Sequence, residues 1–169
     1  MSIFETERLH VRRLTLDDAT FILALLNDPA FLKYIGDRGV RTPGDAQAYL
    51  LNGPLASYAK HGFGLLLVTL KPDDIPIGIC GLLKRDVLAD VDVGFAFLPE
   101  YVGQGYAFEA ATATLAYGRE VLGLKRIVAV TSPNNTNSIR LLEKLGLRYE
   151  KMVQLSPGAP EIKLLGLNF

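Results

Sequence analysis

ADVDVGFAFLPEYVGQGYAFEAATATLAYGREVL, residues 89–122, is the stretch from which the rest of the chain can be read. It opens with period-two alternation: Val91, Val93, Phe95 and Phe97 share one face of a strand, and Asp90, Asp92, Gly94 and Ala96 share the other. Pro99 stops it. Gly103 and Gly105 then bracket Gln104, and an Ala-rich run predicts a helix from about Tyr106 onward. The order is strand, glycine turn, helix.

Such a turn leaves the first N–H groups of the helix without intrahelical acceptors, and the helix dipole adds positive charge at the same end. Phosphate oxygens suit that place, and glycine lets an anion approach the backbone. The spelling is neither GxGxxG nor GxxxxGK[ST], so dinucleotide and Walker-type sites are excluded. Taken alone, the Gly-x-Gly pair fits an unliganded tight connection equally well.

Working outward, 169 residues with 49% hydrophobic and 21% charged content predict one globular domain, residues 1–169, rather than a disordered chain. Lys plus Arg balance Asp plus Glu at 18 each, so no overall charge points to nucleic acid or a membrane surface. The apolar runs are far short of a membrane span, and MSIFETERLHVRR has no basic segment followed by an apolar one, so a cytoplasmic location is expected. Cys80 is the only cysteine, which excludes an internal disulfide; it reads as a buried strand residue rather than a nucleophile. His10 and His61 are isolated, and no metal is expected.

Upstream, Leu9 to Leu14 predicts a first strand with Val11 inward, and Thr15 with Asp18 forms a capping box ahead of a helix carrying Phe21, Ile22, Leu25 and Leu26. Phe31 to Arg41 reads as a loop or broken helix able to line a cleft. Thr42-Pro43 with Asp45 starts a helix through about Lys60. Phe63 to Leu70 and Ile75 to Leu83 read as a hairpin across Lys71-Pro72-Asp73-Asp74. Downstream, Arg126 to Thr131 is a short strand, Ser138 to Leu145 an amphipathic helix ended by Gly146, and Leu147–Leu155 with Glu161–Leu167 a final hairpin. The expectation is a mixed α+β protein of about seven strands and four helices.

These segments resemble the GNAT superfamily of acyl-CoA-dependent N-acyltransferases. Val102-Gly103-Gln104-Gly105-Tyr106-Ala107 stands where that family has [QR]-x-x-G-x-[GA], with Val102 departing from the usual Gln or Arg. Asn135-Thr136-Asn137-Ser138 and Glu143-Lys144-Leu145-Gly146-Leu147 match its second signature. Thr6-Glu7-Arg8-Leu9 and the Tyr101-x-Gly103-x-Gly105-Tyr106-Ala107 spelling are similar to the branch containing ribosomal-protein N-terminal acetyltransferases.

The resemblance implies a mostly antiparallel seven-stranded sheet splayed into a V, with acetyl-CoA as co-substrate. Main-chain groups of Phe95, Ala96 and Phe97 would pair with the pantetheine arm. Those of Gly103, Gln104, Gly105, Tyr106, Ala107 and Phe108 would hold the pyrophosphate, and Asn135 would hydrogen-bond the pantetheine or acetyl region. Ser138 would protonate the departing thiolate, its alternative being a helix-start serine that satisfies backbone groups. Asp92 is the candidate base, acting through water, with Asp90 its rival and a solvent-facing ion-paired carboxylate the alternative. Other relatives use a glutamate and a tyrosine where this chain has Val130 and Leu142.

The implied reaction moves acetyl directly to a primary amine, either a peptide N-terminus or a small molecule. The alternative is a non-catalytic acyl-CoA sensor. Tyr34, Asp37, Arg38, Arg41 and Tyr101 are acceptor-side candidates: Asp37 would suit a cationic amine, the arginines a carboxylate or phosphate on it. Family analogy allows a homodimer.

Overall fold

The structure, a computed structural model, describes residues 2–169. Its strands are β1 (Ser2–Glu5), β2 (Leu9–Arg13), β3 (Leu65–Leu70), β4 (Ile75–Leu83), β5 (Asp92–Phe97), β6 (Arg126–Thr131), β7 (Arg148–Val153) and β8 (Ile162–Asn168). Among the described residues they form one eight-stranded sheet, ordered β1-β2-β3-β4-β5-β6-β8-β7. The helices are α1 (Ala19–Leu26), α2 (Pro29–Tyr34), α3 (Pro43–Leu50), α4 (Ala56–His61), α5 (Tyr106–Glu120) and α6 (Thr136–Lys144). A π-helical stretch, Leu51–Leu55, joins α3 to α4, so these two form one rod and the rods number five.

Both counts correct the sequence expectation of seven strands and four helices. The additional strand is β1, four residues that show no periodicity; it forms on the outer edge offered by β2, pairing Phe4 with Val11 and Glu5 with His10. The additional helix is α2, a six-residue turn that Asp28 caps through the amides of Ala30 and Phe31, with Pro29 at its first position. The π-helical stretch contains Pro54, which lacks an N–H and clashes with an ordinary helical turn.

The helices cover two faces of the sheet. Leu14, Ile22, Leu25, Leu26 and Leu50 pack against Leu67 and Ile79, with Ala96 at the margin. On the other face Ala110 and Ala111 of α5 lie against Val68, Ile77 and Cys80, with Phe95 and Phe97 alongside. The period-two pattern read from β5 is therefore real, and it separates an α1–α3 face from an α5 face. Each fully buried leucine in these layers contributes about 1.5–3 kcal/mol. Gly81 permits a close crossing in β4: a Cβ there would stand 2.3 Å from the Gly64 carbonyl oxygen.

Where the sheet splits decides where a ligand can go. Every neighbouring pair is antiparallel except β5 and β6, which run parallel and meet only at Asp92 and Val128. The Val128 amide donates to the Val91 carbonyl (3.0 Å). Beyond that point β5 stays in its ladder with β4 out to Phe97, and β6 stays with β8 out to Thr131. Sheet twist then carries the two ladders apart, giving the V expected from the resemblance.

Candidate active site

After β5 the chain makes a short 3-10 turn, Pro99–Tyr101, and then bends through Gly103 (φ 82°) and Gly105 (φ 85°) into α5. Both values lie in the left-handed region that favours glycine. Gly105 is the N-cap of α5 and no side chain caps the helix; the Glu109 amide bonds the Gly105 carbonyl (3.0 Å). The amides of Tyr106, Ala107 and Phe108 precede the first possible intrahelical acceptor. Among the described residues none of the six amides from Gly103 to Phe108 has an acceptor. An uncapped, solvent-facing row of donors at a helix N-terminus fits a diphosphate.

A residue that motif reading did not assign a role completes this turn. Glu109 receives the Thr6 hydroxyl (2.5 Å), the Arg8 amide (2.9 Å) and Arg8 Nε (2.7 Å). Arg8 Nη1 donates to the Gln104 carbonyl (3.0 Å), and the guanidinium lies over the Tyr106 ring, 4.3 Å from its centre. Burial raises the Glu109 carboxyl, but the bonds from Thr6 and Arg8 outweigh it and hold the group below the usual carboxylate range. Arg8 thus ties the turn to the N-terminal strands and stands a cation beside it, close to where Val102 leaves the family's Gln or Arg unreplaced. Its only sequence signal was the Thr6-Glu7-Arg8-Leu9 spelling, whose partner lies about a hundred residues away. Arg8→Ala is expected to raise the acetyl-CoA Kd about tenfold, a loss of about 1.4 kcal/mol. Titration calorimetry reads it, and wild-type affinity would show that the turn holds its shape without the clamp.

Between β5 and β6 the V holds a cleft of about 960 Å³. Its walls include Asp92, Phe95 and Ala96 of β5, Asn135 and Ser138 at the start of α6, and Tyr34 of α2. The main chain of β5 is divided by parity. Leu98 donates to Ile77 (2.9 Å), so Ala96 also turns its N–H and C=O towards β4, whereas Phe95 and Phe97 turn theirs to the side where Val91 meets β6. The expected main-chain role of Ala96 is corrected accordingly, because its groups belong to the β4 ladder.

Asn135 caps α6 by accepting the Ser138 amide on Oδ1 (3.3 Å). That uses one end of its amide, and Nδ2 has no partner among the described residues. With the cap supplied by Asn135, the Ser138 hydroxyl makes no hydrogen bond among them either, and it lies in the cleft wall. Asp92 is not a solvent-facing carboxylate: it is 1% exposed and paired with Arg85 Nε (3.1 Å). Burial lifts its pKa above the ordinary aspartate value, and Arg85 opposes the lift. Asp90 pairs instead with Arg126 (3.0 Å), away from the cleft.

Of the acceptor-side candidates, Tyr34 and Arg38 line the cleft. Asp37 and Arg41 do not; they hold one another (2.5 Å), and Arg41 also donates to Asn27. Tyr101 packs under α5 and meets Tyr106 edge-on (6.4 Å), also outside the cleft. Cleft residues that the motif reading passed over are Tyr49, Lys60 and Arg85. Tyr49 and Lys60 stand on helices and Arg85 in the connection after β4, all brought there by packing between distant segments, and none carries a local mark.

Cys80 is fully buried beside the Thr114 hydroxyl (3.3 Å), and burial pushes its thiol up to about 12. Near neutral pH it stays protonated and is no nucleophile. Cys80→Ala is expected to change turnover by less than about twofold, and iodoacetamide should leave the folded protein active in a thiol-release assay.

Residues 8–148 match the family described as the acetyltransferase (GNAT) domain. The chain belongs to the GNAT acetyltransferase family. This acetyltransferase is 33% identical, over 145 residues, to the uncharacterized N-acetyltransferase YnaD of Bacillus subtilis, covering 86% of this chain and 82% of that one. Its fold matches that of a ribosomal L7/L12 α-N-protein acetyltransferase in complex with coenzyme A, with a TM-score of 0.84 at 12% identity over 99% of this chain and 98% of the other. It also matches spermidine N-acetyltransferase from Vibrio cholerae in complex with CoA and spermine, with a TM-score of 0.78 at 18% identity over 96% of each. At these identities the two structures show a shared fold. No helix among the described residues of this GNAT acetyltransferase is long and apolar enough to cross a membrane.

Proposed function

We propose that residues 1–169 act as one catalytic domain that moves the acetyl group of acetyl-CoA directly to the nitrogen of a primary amine. One observation carries this reading: β5, which lines an open cleft holding an unengaged Ser138 hydroxyl and the carboxylate of Asp92, runs on into a turn whose amides at residues 103–108 are unclaimed. The turn takes the diphosphate of the co-substrate, and the exposed main chain of Phe95 and Phe97 pairs with the pantetheine amides as an added strand would. Asn135 Nδ2 donates to the same arm.

The attacking amine must be neutral. With ordinary values of about 8 for an α-amine and about 10.4 for lysine, roughly a tenth of the first is neutral at pH 7 and far less of the second. Asp92 accepts through water the proton that the nitrogen sheds as the nitrogen–carbon bond forms and the carbon–sulfur bond breaks; Ser138 supplies the proton that the thiolate takes up and regains one, through water, from Asp92. Because burial has lifted Asp92, its basic form is lost on acidification at a higher pH than that of an ordinary aspartate. The acid limb of kcat/KM should therefore lie above the ordinary aspartate range and vanish in Asp92→Asn.

The direct test is thiol release from acetyl-CoA across a panel of amines and N-terminal peptides. Release that depends on the acceptor supports transfer. Tight acetyl-CoA binding with no acceptor-dependent release from any member would favour the sensor reading, for which apolar Val130 and Leu142 in the cleft wall speak.

A further inference from the structure

The charges around the acceptor half of the cleft are unequal. Lys33 at the end of α2, Arg38 in the loop after it and Lys60 at the end of α4 all line the cleft and are exposed, and none forms a salt bridge among the described residues. The remaining charged groups there are mostly accounted for. Arg85 is taken by Asp92 (3.1 Å), and Lys84 donates to the carbonyls of Arg85 and Leu88 (2.8 and 2.5 Å). His61 stacks on Phe63 (5.6 Å). Asp86 is the one carboxylate of the lining without a salt bridge among the described residues. Three unpaired cations therefore face one unpaired carboxylate.

Their position separates them from the co-substrate's phosphates. The diphosphate turn opens α5, which packs with Phe95 and Phe97 on one face of the sheet, whereas α1, α2 and α3 pack with Ile79 and Ala96 on the other. Lys33 and Arg38 sit on and just after α2, an element of that second face. Lys60 is on α4, whose Tyr58 packs in the α5 layer, and it joins them as part of the cleft lining, which includes no residue of the turn. Burial raises the Tyr49 phenol and both Arg38 and Arg85 pull it back, so the two guanidinium groups bear on one wall of the cleft. Asp37, which would have suited a cationic acceptor, is neutralised by Arg41 outside the cleft.

Resting on the acetyltransferase reading above, we propose that the acceptor is a primary amine bearing a carboxylate or phosphate within a few bonds, held by Arg38, Lys60 and Lys33. Guanidinium offers a planar fork for either anion and ammonium a point charge. A polycationic amine meets net repulsion at the same rim. The shared chemistry has two sources, a free acidic amine or the N-terminus of an acidic peptide.

The test compares acetylation of L-aspartate, O-phosphoethanolamine and an Asp-Glu-Ala tripeptide amide with that of spermidine and putrescine, in wild type and in the Arg38→Ala/Lys60→Ala double variant. The expected result is a kcat/KM at least about tenfold higher for one of the acidic amines, with the advantage lost in the double variant, reduced by salt, and accompanied by an unchanged acetyl-CoA Kd. The free amines and the tripeptide distinguish the two sources. Equal or better use of spermidine overturns the inference and leaves acetyl transfer standing. A raised acetyl-CoA Kd in the double variant also overturns it, by assigning the cations to the co-substrate. Should no amine be acetylated, ligand-observed NMR on the CoA-loaded protein decides. Binding of the acidic amines alone would support the anion site and sink the transfer reading, and binding of neither class would sink both.

Discussion

Ser138→Ala is expected to lower kcat by about a hundredfold while leaving the acetyl-CoA Kd within about twofold, the range typical of removing a general acid. The selectivity of the effect follows from the cap. Ser138 stands in the first turn of α6, where a serine often satisfies backbone donors, but Asn135 already does so and the serine hydroxyl makes no bond among the described residues. The helix should therefore survive its loss. Removing the true cap with Asn135→Ala should instead cost about 1 kcal/mol of stability. Steady-state kinetics with a chemical denaturation curve separate the two. A kcat within about threefold of wild type in Ser138→Ala would mean that solvent protonates the thiolate.

Gly105→Val should raise the acetyl-CoA Kd about a hundredfold or more, roughly 2.7 kcal/mol. Two causes add. Gly105 has φ 85°, and a β-branched residue held there costs about 1–3 kcal/mol in strain, so the turn would relax out of the shape that aligns its amides. Its Cβ would also come within 3.3 Å of Arg8 Nη2, so the guanidinium would have to shift by a few tenths of an ångström. Gly103 has similar backbone geometry (φ 82°), but no atom lies within 4 Å of a Cβ there, so Gly103→Ala should weaken binding by only about tenfold or less. Calorimetry with acetyl-CoA, together with circular dichroism to verify the fold, reads the difference. Unchanged affinity in Gly105→Val would refute the diphosphate turn.

How much of this site could be read from the chain alone varied with how local each signal was. β5 announced itself by alternation, and α3 by Thr42, Pro43 and Asp45. β1 gave no such sign, since four residues make a strand only when β2 presents its edge. Alternation put Asp92 on its face of β5, yet what covers that face comes from other elements, and the carboxylate read as a base, with a solvent-facing ion pair as the alternative, is among the most buried. Asp37 and Arg41 have the composition of a binding loop. Their mutual ion pair, four residues apart, takes them out of it.

The sequence by itself determined the strand, the glycine turn and the helix, because these depend on φ preferences, periodicity and capping within a few residues, and its motif spellings carried the resemblance to the family. Only the tertiary structure decided which charges line the cleft, which main-chain groups of β5 are open, and that Arg8 and Glu109, about a hundred residues apart, brace the turn. Those are contacts between distant segments. Packing of whole faces sets them, and no short window of sequence contains both partners.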